Sequence, residues 1–176
     1  VIVKEFKDSE GRPWRLALTC GSAARIRDMI SVPGEDGKPR PFDLVDAKTL
    51  AESIAMIRTS PILLSEVLYA ALIPDMNAKQ MNREEFLAGM SGDSLDAGRE
   101  ALEAEIVSFS PGRLRGVVSS LLAMMDDLEA KEAAKIKGSI DAMKSGVGTT
   151  STNSPASSES IPPSGRSENL LAQRGG

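Results

Sequence analysis

The stretch SPGRLRGVVSSLLAMMDDL, Ser110 to Leu128, decides the fold class. Leu114, Val117, Val118, Leu121, Leu122, Met125 and Leu128 recur at three- and four-residue spacings, the pattern of a helix with one apolar side. Ser110-Pro111 ahead of it is a cap followed by proline at the first helical position, where its missing N–H costs nothing. The longest helix of the chain is therefore expected to start here and to bury that stripe. Beyond Leu128 the stripe thins to Ile136, Ile140 and Met143 in a charged, alanine-rich setting, which predicts an exposed helical extension.

The same signals recur upstream. Asp93 is expected to cap a helix to about Phe109, with Leu95, Leu102, Ile106 and Phe109 inward. Asn82, with Glu85 three residues on, fits a capping box for a short helix carrying Phe86, Leu87 and Met90. Ser60-Pro61 opens a helix to about Leu72, burying Leu64, Val67, Leu68, Ala71 and Leu72, and Ile73-Pro74 is expected to end it. Asp46 is expected to cap a helix to about Ile57, with Leu50, Ile54 and Ile57 on one stripe. Ala23, Ile26, Met29 and Ile30 share a face over residues 22–30. Pro33, Gly34, Gly37, Pro39 and Pro41 then predict a loop from Ser31 to Phe42.

The N-terminus changes period. Ile2, Lys4 and Phe6 alternate with Val3 and Glu5, and Trp14, Leu16 and Leu18 alternate after Asp8-Ser9-Glu10-Gly11. Two alternating runs about a glycine turn predict a β-hairpin. A hairpin alone is marginal in water, so its apolar side must lie on the helices or its edge must pair with another chain.

From Gly146 the composition shifts to Ser, Thr, Gly and Pro, too poor in apolar residues to offset the entropy of ordering a backbone. The plan is thus mainly α: a hairpin over 1–19, a small helical bundle over 20–145 with a long final helix, and a disordered tail over 146–176. Aromatics are only 3% of the 176 residues, so the core must come from aliphatic side chains and methionine, which suit helices.

Composition also excludes chemistry. The net charge is -4, with Lys and Arg scattered among acids, unlike the concentrated basic surface of a nucleic-acid binder. Arg113 and Arg115 are the nearest approach to a basic patch. No apolar run approaches the ~20 residues that span a bilayer, so no membrane contact is expected. The chain has no histidine, which removes His-based triads and most zinc sites. Cys20, the only cysteine, is expected to be a small, partly buried residue at a strand-to-helix junction. It suits a reducing compartment. Gly34-Glu35-Asp36-Gly37-Lys38 lacks phosphate-loop spacing and reads as a turn. Asp43 with Asp46 reads as capping, and Asp126, Asp127 and Glu129 as a solvated helix face. No enzyme, cofactor or metal is expected.

Contact surfaces are the better expectation. By helical phase Met90 and Met125 are core filler, while Met81 is open to either role. Met124 and Met143, at the margin of the stripe or beyond it, are candidates for partner binding. Ile136 and Ile140 join them on the extension. Leu170 and Leu171, within Glu168 to Gln173, are candidates for a short helical turn formed on a partner.

Several segments, in this order, resemble the tail assembly chaperones of siphophages and prophages. Phe6-Lys7-Asp8-Ser9-Glu10-Gly11-Arg12-Pro13-Trp14 is similar to that family's F-x-D-x-x-G-R-x-W opening. Ala24 to Asp28 and Asp43-Leu44 follow. Ser60-Pro61-Ile62-Leu63-Leu64-Ser65-Glu66-Val67-Leu68-Tyr69 resembles D-P-x-x-L-x-D-V-L-Y/W, and Glu85 to Asp93 with Ala97 to Ala104 resembles E-F-x-x-x-L-x-G-D-x-x-x-x-A. Phe109-Ser110-Pro111 stands at the place of F-F-P. Ser60 for Asp and Ser110 for Phe are departures. The likeness covers residues 6 to 128. It implies a protein of the host bacterial cytoplasm that binds the tape measure protein before the tail tube polymerises, then leaves, so that the virion lacks it. It also implies, in many phages, a frameshifted longer form that recruits tail tube protein. The alternative is a structural minor tail or head-tail connector protein. A homo-oligomer is left open.

Overall fold

The computed structural model describes residues 4–34 and 36–146. Residues 1–133 form one unit; residues 134–146 belong to a second. The tail expected to be disordered, with Leu170 and Leu171, lies outside the described residues.

Strands β1 (Lys4–Lys7) and β2 (Pro13–Leu16) pair antiparallel, with Phe6 opposite Trp14 and Glu5 opposite Arg15. Alternation turns Phe6, Trp14, Leu16 and then Leu18 inward, all buried. The hairpin lies on helix α5 (Asp93–Phe109). Gly98 permits this approach: a Cβ there would sit 2.7 Å from Leu68 Cδ1 and 3.4 Å from the Phe6 ring.

Helix α1 (Cys20–Met29) starts on a capping box between Thr19 and Ser22 and buries Ile26. Cys20 is exposed, not partly buried as expected, because the cap places it in the first turn, facing solvent. Met29 is half exposed, so the inward face is narrower than its spacing predicts. The proline-rich segment holds a second hairpin. Strands β3 (Ser31–Pro33) and β4 (Pro39–Pro41) pair with Val32 opposite Arg40. Prolines at strand ends cost few ladder bonds, which is how this segment pairs despite its composition.

Helix α2 (Leu50–Thr59) begins four residues after Asp46. Asp46 instead accepts from the Lys48 N–H at 3.0 Å and holds the turn ahead of the helix. Helix α3 (Pro61–Ala78) opens at Ser60, whose hydroxyl accepts from the Leu63 N–H at 3.2 Å. It does not stop at Pro74. The Ala70 carbonyl, which the proline cannot bond, accepts from Arg25 Nε at 3.2 Å, and Arg25 Nη2 donates to the Ala71 carbonyl at 3.3 Å. A side chain from α1 thus satisfies the acceptor that proline leaves open, and the helix gains another turn.

Helix α4 (Arg83–Gly89) carries the expected capping box between Asn82 and Glu85. For α5 the cap is Gly92, at φ +51°, and Asp93 is the first helical residue rather than the cap. Helix α6 (Gly112–Gly146) is the longest. Ser110 does not cap it. Its hydroxyl donates back to the Ile106 carbonyl at 2.8 Å and closes the end of α5.

The aromatic centre joins these elements. Trp14 meets Phe86 edge to face at 5.0 Å, and the Tyr69 ring lies 6.1 Å from that of Phe86, tilted by 51°. Among the described residues, no single helix is long and apolar enough to cross a membrane.

Candidate interaction surface

The residues that carry the family resemblance at the N-terminus form one packing unit. Asp8 is buried. Its Oδ1 accepts from the backbone N–H of Glu10 and Arg12 at 3.0 and 2.9 Å. Its Oδ2 accepts from Arg12 Nε and, at 3.0 Å, from Trp14 Nε1. Burial would push this carboxyl up; the bonds from Arg12 and Trp14 outweigh it and hold Asp8 below its ordinary value. Gly11 supplies the φ of +79° that the turn requires. The Ser9 N–H donates to the Gly89 carbonyl at 3.0 Å and Arg12 Nη2 to the Glu85 carbonyl at 3.3 Å, fastening the turn onto α4. Every bond Asp8 makes is therefore used to hold the fold.

A second polar cluster sets the orientation of α6. Arg58 on α2 has a side chain only 3% exposed. It meets Glu103 of α5 through two bonds, at 2.7 and 2.8 Å, and Asp126 and Glu129 of α6 at 2.9 and 3.2 Å. Burial disfavours the guanidinium charge, and the bonds from Glu103 more than restore it. Asp126 and Glu129 thus reach Arg58 while staying 65% and 47% exposed, and Asp127 beside them is exposed, as expected of a solvated acidic face. The consequence is that the side facing the body is offset from the expected stripe by roughly a sixth of a turn. Val118 is buried, and Leu122 and Met125 pack on the core, but Val117, Met124 and Leu128 are 65%, 55% and 52% exposed. The stripe from Leu114 to Leu128 is half buried and half presented.

Beside the presented half lies an apolar groove of about 330 Å³ between the segment 44–51 and the start of α6. Leu44, Leu50, Phe109, Leu114, Val117 and Leu121 make up most of its wall. Its shape is fixed from both sides. Asp43 accepts from the backbone N–H of Val45 and Asp46 at 2.8 and 3.0 Å, and Ser53 Oγ donates to the Asp43 carbonyl at 2.7 Å. Opposite, Arg115 donates to the carbonyls of Val107 and Ser108 at 3.3 and 3.2 Å, capping the α5 terminus. Arg115 is thereby spent on structure rather than on a basic patch. Of the side chains lining the groove, Ser110 alone is polar, and its hydroxyl is given to Ile106.

No family model, curated protein or solved structure matches the chain.

The remaining candidates divide between the two units. Met124 stands with Val117 and Leu128 on the presented side of α6. Ile136, Ile140 and Met143 are 61%, 45% and 71% exposed in the second unit. Met90 is buried and Met125 partly so. Among the described residues, no group of three His, Cys, Asp or Glu side chains is placed to hold a metal ion. Sequence reasoning missed Leu44 and Val45. Their signal is an apolar pair between two aspartates that both turn the backbone. It also missed Arg58, which nothing in its local sequence distinguishes from a surface arginine.

Proposed function

We propose that the chain is a tail assembly chaperone, acting by contact rather than bond-making on apolar helical segments of a tape measure protein in the bacterial cytoplasm. The observation that carries this reading is the groove between residues 44–51 and α6. It is apolar, preformed and continuous with an exposed apolar helix side. A helix with apolar residues at three- and four-residue spacing is the ligand such a groove takes. The order of segments from Phe6 to Leu128 supports the family assignment. Recruitment of tail tube protein belongs to a longer translation product.

The test is co-expression with the long helical protein encoded beside this gene. Co-purification and a gain in client solubility are expected; absence of both rejects the proposal. Mass spectrometry of purified particles distinguishes the structural alternative, since a chaperone is absent from the virion and a connector or minor tail protein is present in stoichiometric amount.

A further inference from the structure

We propose that α6 pairs antiparallel with α6 of a second copy of this chain. Leu114, Val117, Leu121, Met124 and Leu128 follow one another at spacings of three, four, three and four residues, the seam of a two-stranded coiled coil. Val117, Met124 and Leu128 are more than half exposed, because the ion pairs of Arg58 turn the neighbouring side of the helix to the body. Lys131 interrupts the seam, and in the register below its paired part runs about 15 Å, from Leu114 to Met124.

Charge selects the second copy and its direction. Arg113 and Asp127 flank the seam on the same side, two heptads apart. Both are exposed, and among the described residues neither has a hydrogen bond or ion pair. Setting Leu114 against Met124 of the second copy, and Val117 against its Leu121, brings Arg113 opposite Asp127 of that copy. The two-fold axis repeats the pair at the other end. Ser120, midway between them, meets Ser120. A parallel seam would instead set Asp127 against Glu132 and Arg113 against Val118, which is buried. Two opposite charges with no partner among the described residues are complementary in one arrangement and repelled or unpaired in the other.

This inference goes beyond the chaperone reading and stands without it. Where both hold, Leu114, Val117 and Leu121 serve groove and seam alike, so client and second copy compete.

Sedimentation of the full chain from micromolar to millimolar concentration tests the pairing. A monomer–dimer equilibrium is expected. Arg113→Glu and Asp127→Arg should each weaken it roughly tenfold, two symmetric pairs being lost at once. The combined Arg113→Glu/Asp127→Arg chain should recover the original constant. Neither residue has a polar side-chain partner among the described residues, and circular dichroism confirms that each variant is folded. In a Cys20→Ser background, Ser120→Cys should form an interchain disulfide under mild oxidation, whereas Met124→Cys should not. A monomer at every concentration, no recovery in the combined variant, or cross-linking through Met124→Cys overturns the pairing. A monomer that still captures an amphipathic helical peptide overturns it too, and leaves the client reading intact.

Discussion

Arg25 stands in for the backbone donor that Pro74 lacks: its Nε lies 3.2 Å from the Ala70 carbonyl, the acceptor four residues before the proline. A helix interior proline ordinarily costs ~3 kcal/mol, part of it the unsatisfied carbonyl. Here a buried acceptor is returned to a full complement by a charged donor from a different helix, and α1 is tied to α3 by the same contact.

Removing that donor should be costly only while the proline is present. Arg25→Met is expected to lower unfolding free energy by about 1–3 kcal/mol, the penalty of a stranded acceptor. In a Pro74→Ala background the backbone N–H returns, and the same substitution should cost less than half as much. Urea denaturation of the four chains of this double-mutant cycle measures the coupling. Additive losses would show that Arg25 contributes through packing alone.

Asp8 gives a pH prediction with a definite sign. Its carboxyl is held below the ordinary value of 3.8, so the unfolded chain takes up a proton more readily than the folded one. The stabilisation is therefore complete above that value and is lost as pH falls below it through the folded value. Stability measured between neutral pH and pH ~3 should fall more steeply for the native chain than for Asp8→Asn, whose amide does not titrate. Parallel curves would refute the assignment.

Why some of this was legible and some was not follows from the range of the interactions. Ser60, Asn82 with Glu85, and the Phe6/Trp14 alternation act within a few residues, and each stands where its local pattern predicts. The continuation of α3 through Pro74 depends on Arg25, distant in sequence, so local rules end that helix too early. The pairing of Ser31–Pro33 with Pro39–Pro41 was hidden because proline and glycine signal a turn without excluding short strands on either side of it. The orientation of α6 was the largest departure. Periodicity found its apolar stripe but could not know that Arg58 would bury its charge and draw Asp126 and Glu129, themselves exposed, to the edge of the contact with the body. The exposed candidates Met124, Ile136, Ile140 and Met143 were legible because each sits off the strong part of the stripe.

Loss of Arg58, whose charge is buried, should be costly. Arg58→Met leaves Glu103, whose side chain is 11% exposed, without its partner, and a loss of about 2–4 kcal/mol is expected. Adding Glu103→Leu should recover much of it, since the stranded carboxylate rather than the missing bond dominates the cost. Asp126→Asn and Glu129→Gln, on partners 65% and 47% exposed, should each cost less than about 1 kcal/mol. Thermal and chemical unfolding measure all four. Equal losses for Arg58→Met and Asp126→Asn would contradict the ranking by burial.

The groove makes the chaperone reading separable from the fold. Val45 lines it and is 42% exposed, so Val45→Asp removes apolar contact from the client side while leaving the core untouched. Stability should change by no more than about 0.5 kcal/mol, as for surface substitutions generally. Client capture should fall more than about tenfold, because an apolar contact is lost and a carboxylate must be desolvated against the bound helix. Ile62→Asp is the matched control: Ile62 is more exposed, at 76%, but lies outside the groove wall, so capture should be unaffected. Pull-down of the co-expressed tape measure protein reads both variants. Equal capture by Val45→Asp and the native chain would remove the groove from the client surface. Equal loss in both variants would mean that the client recognises exposed apolar side chains without regard to the groove. Val45 lies outside the α6 seam, so variant and native chains share the same self-pairing, and loss confined to Val45→Asp would place the client between residues 44–51 and the first turns of α6.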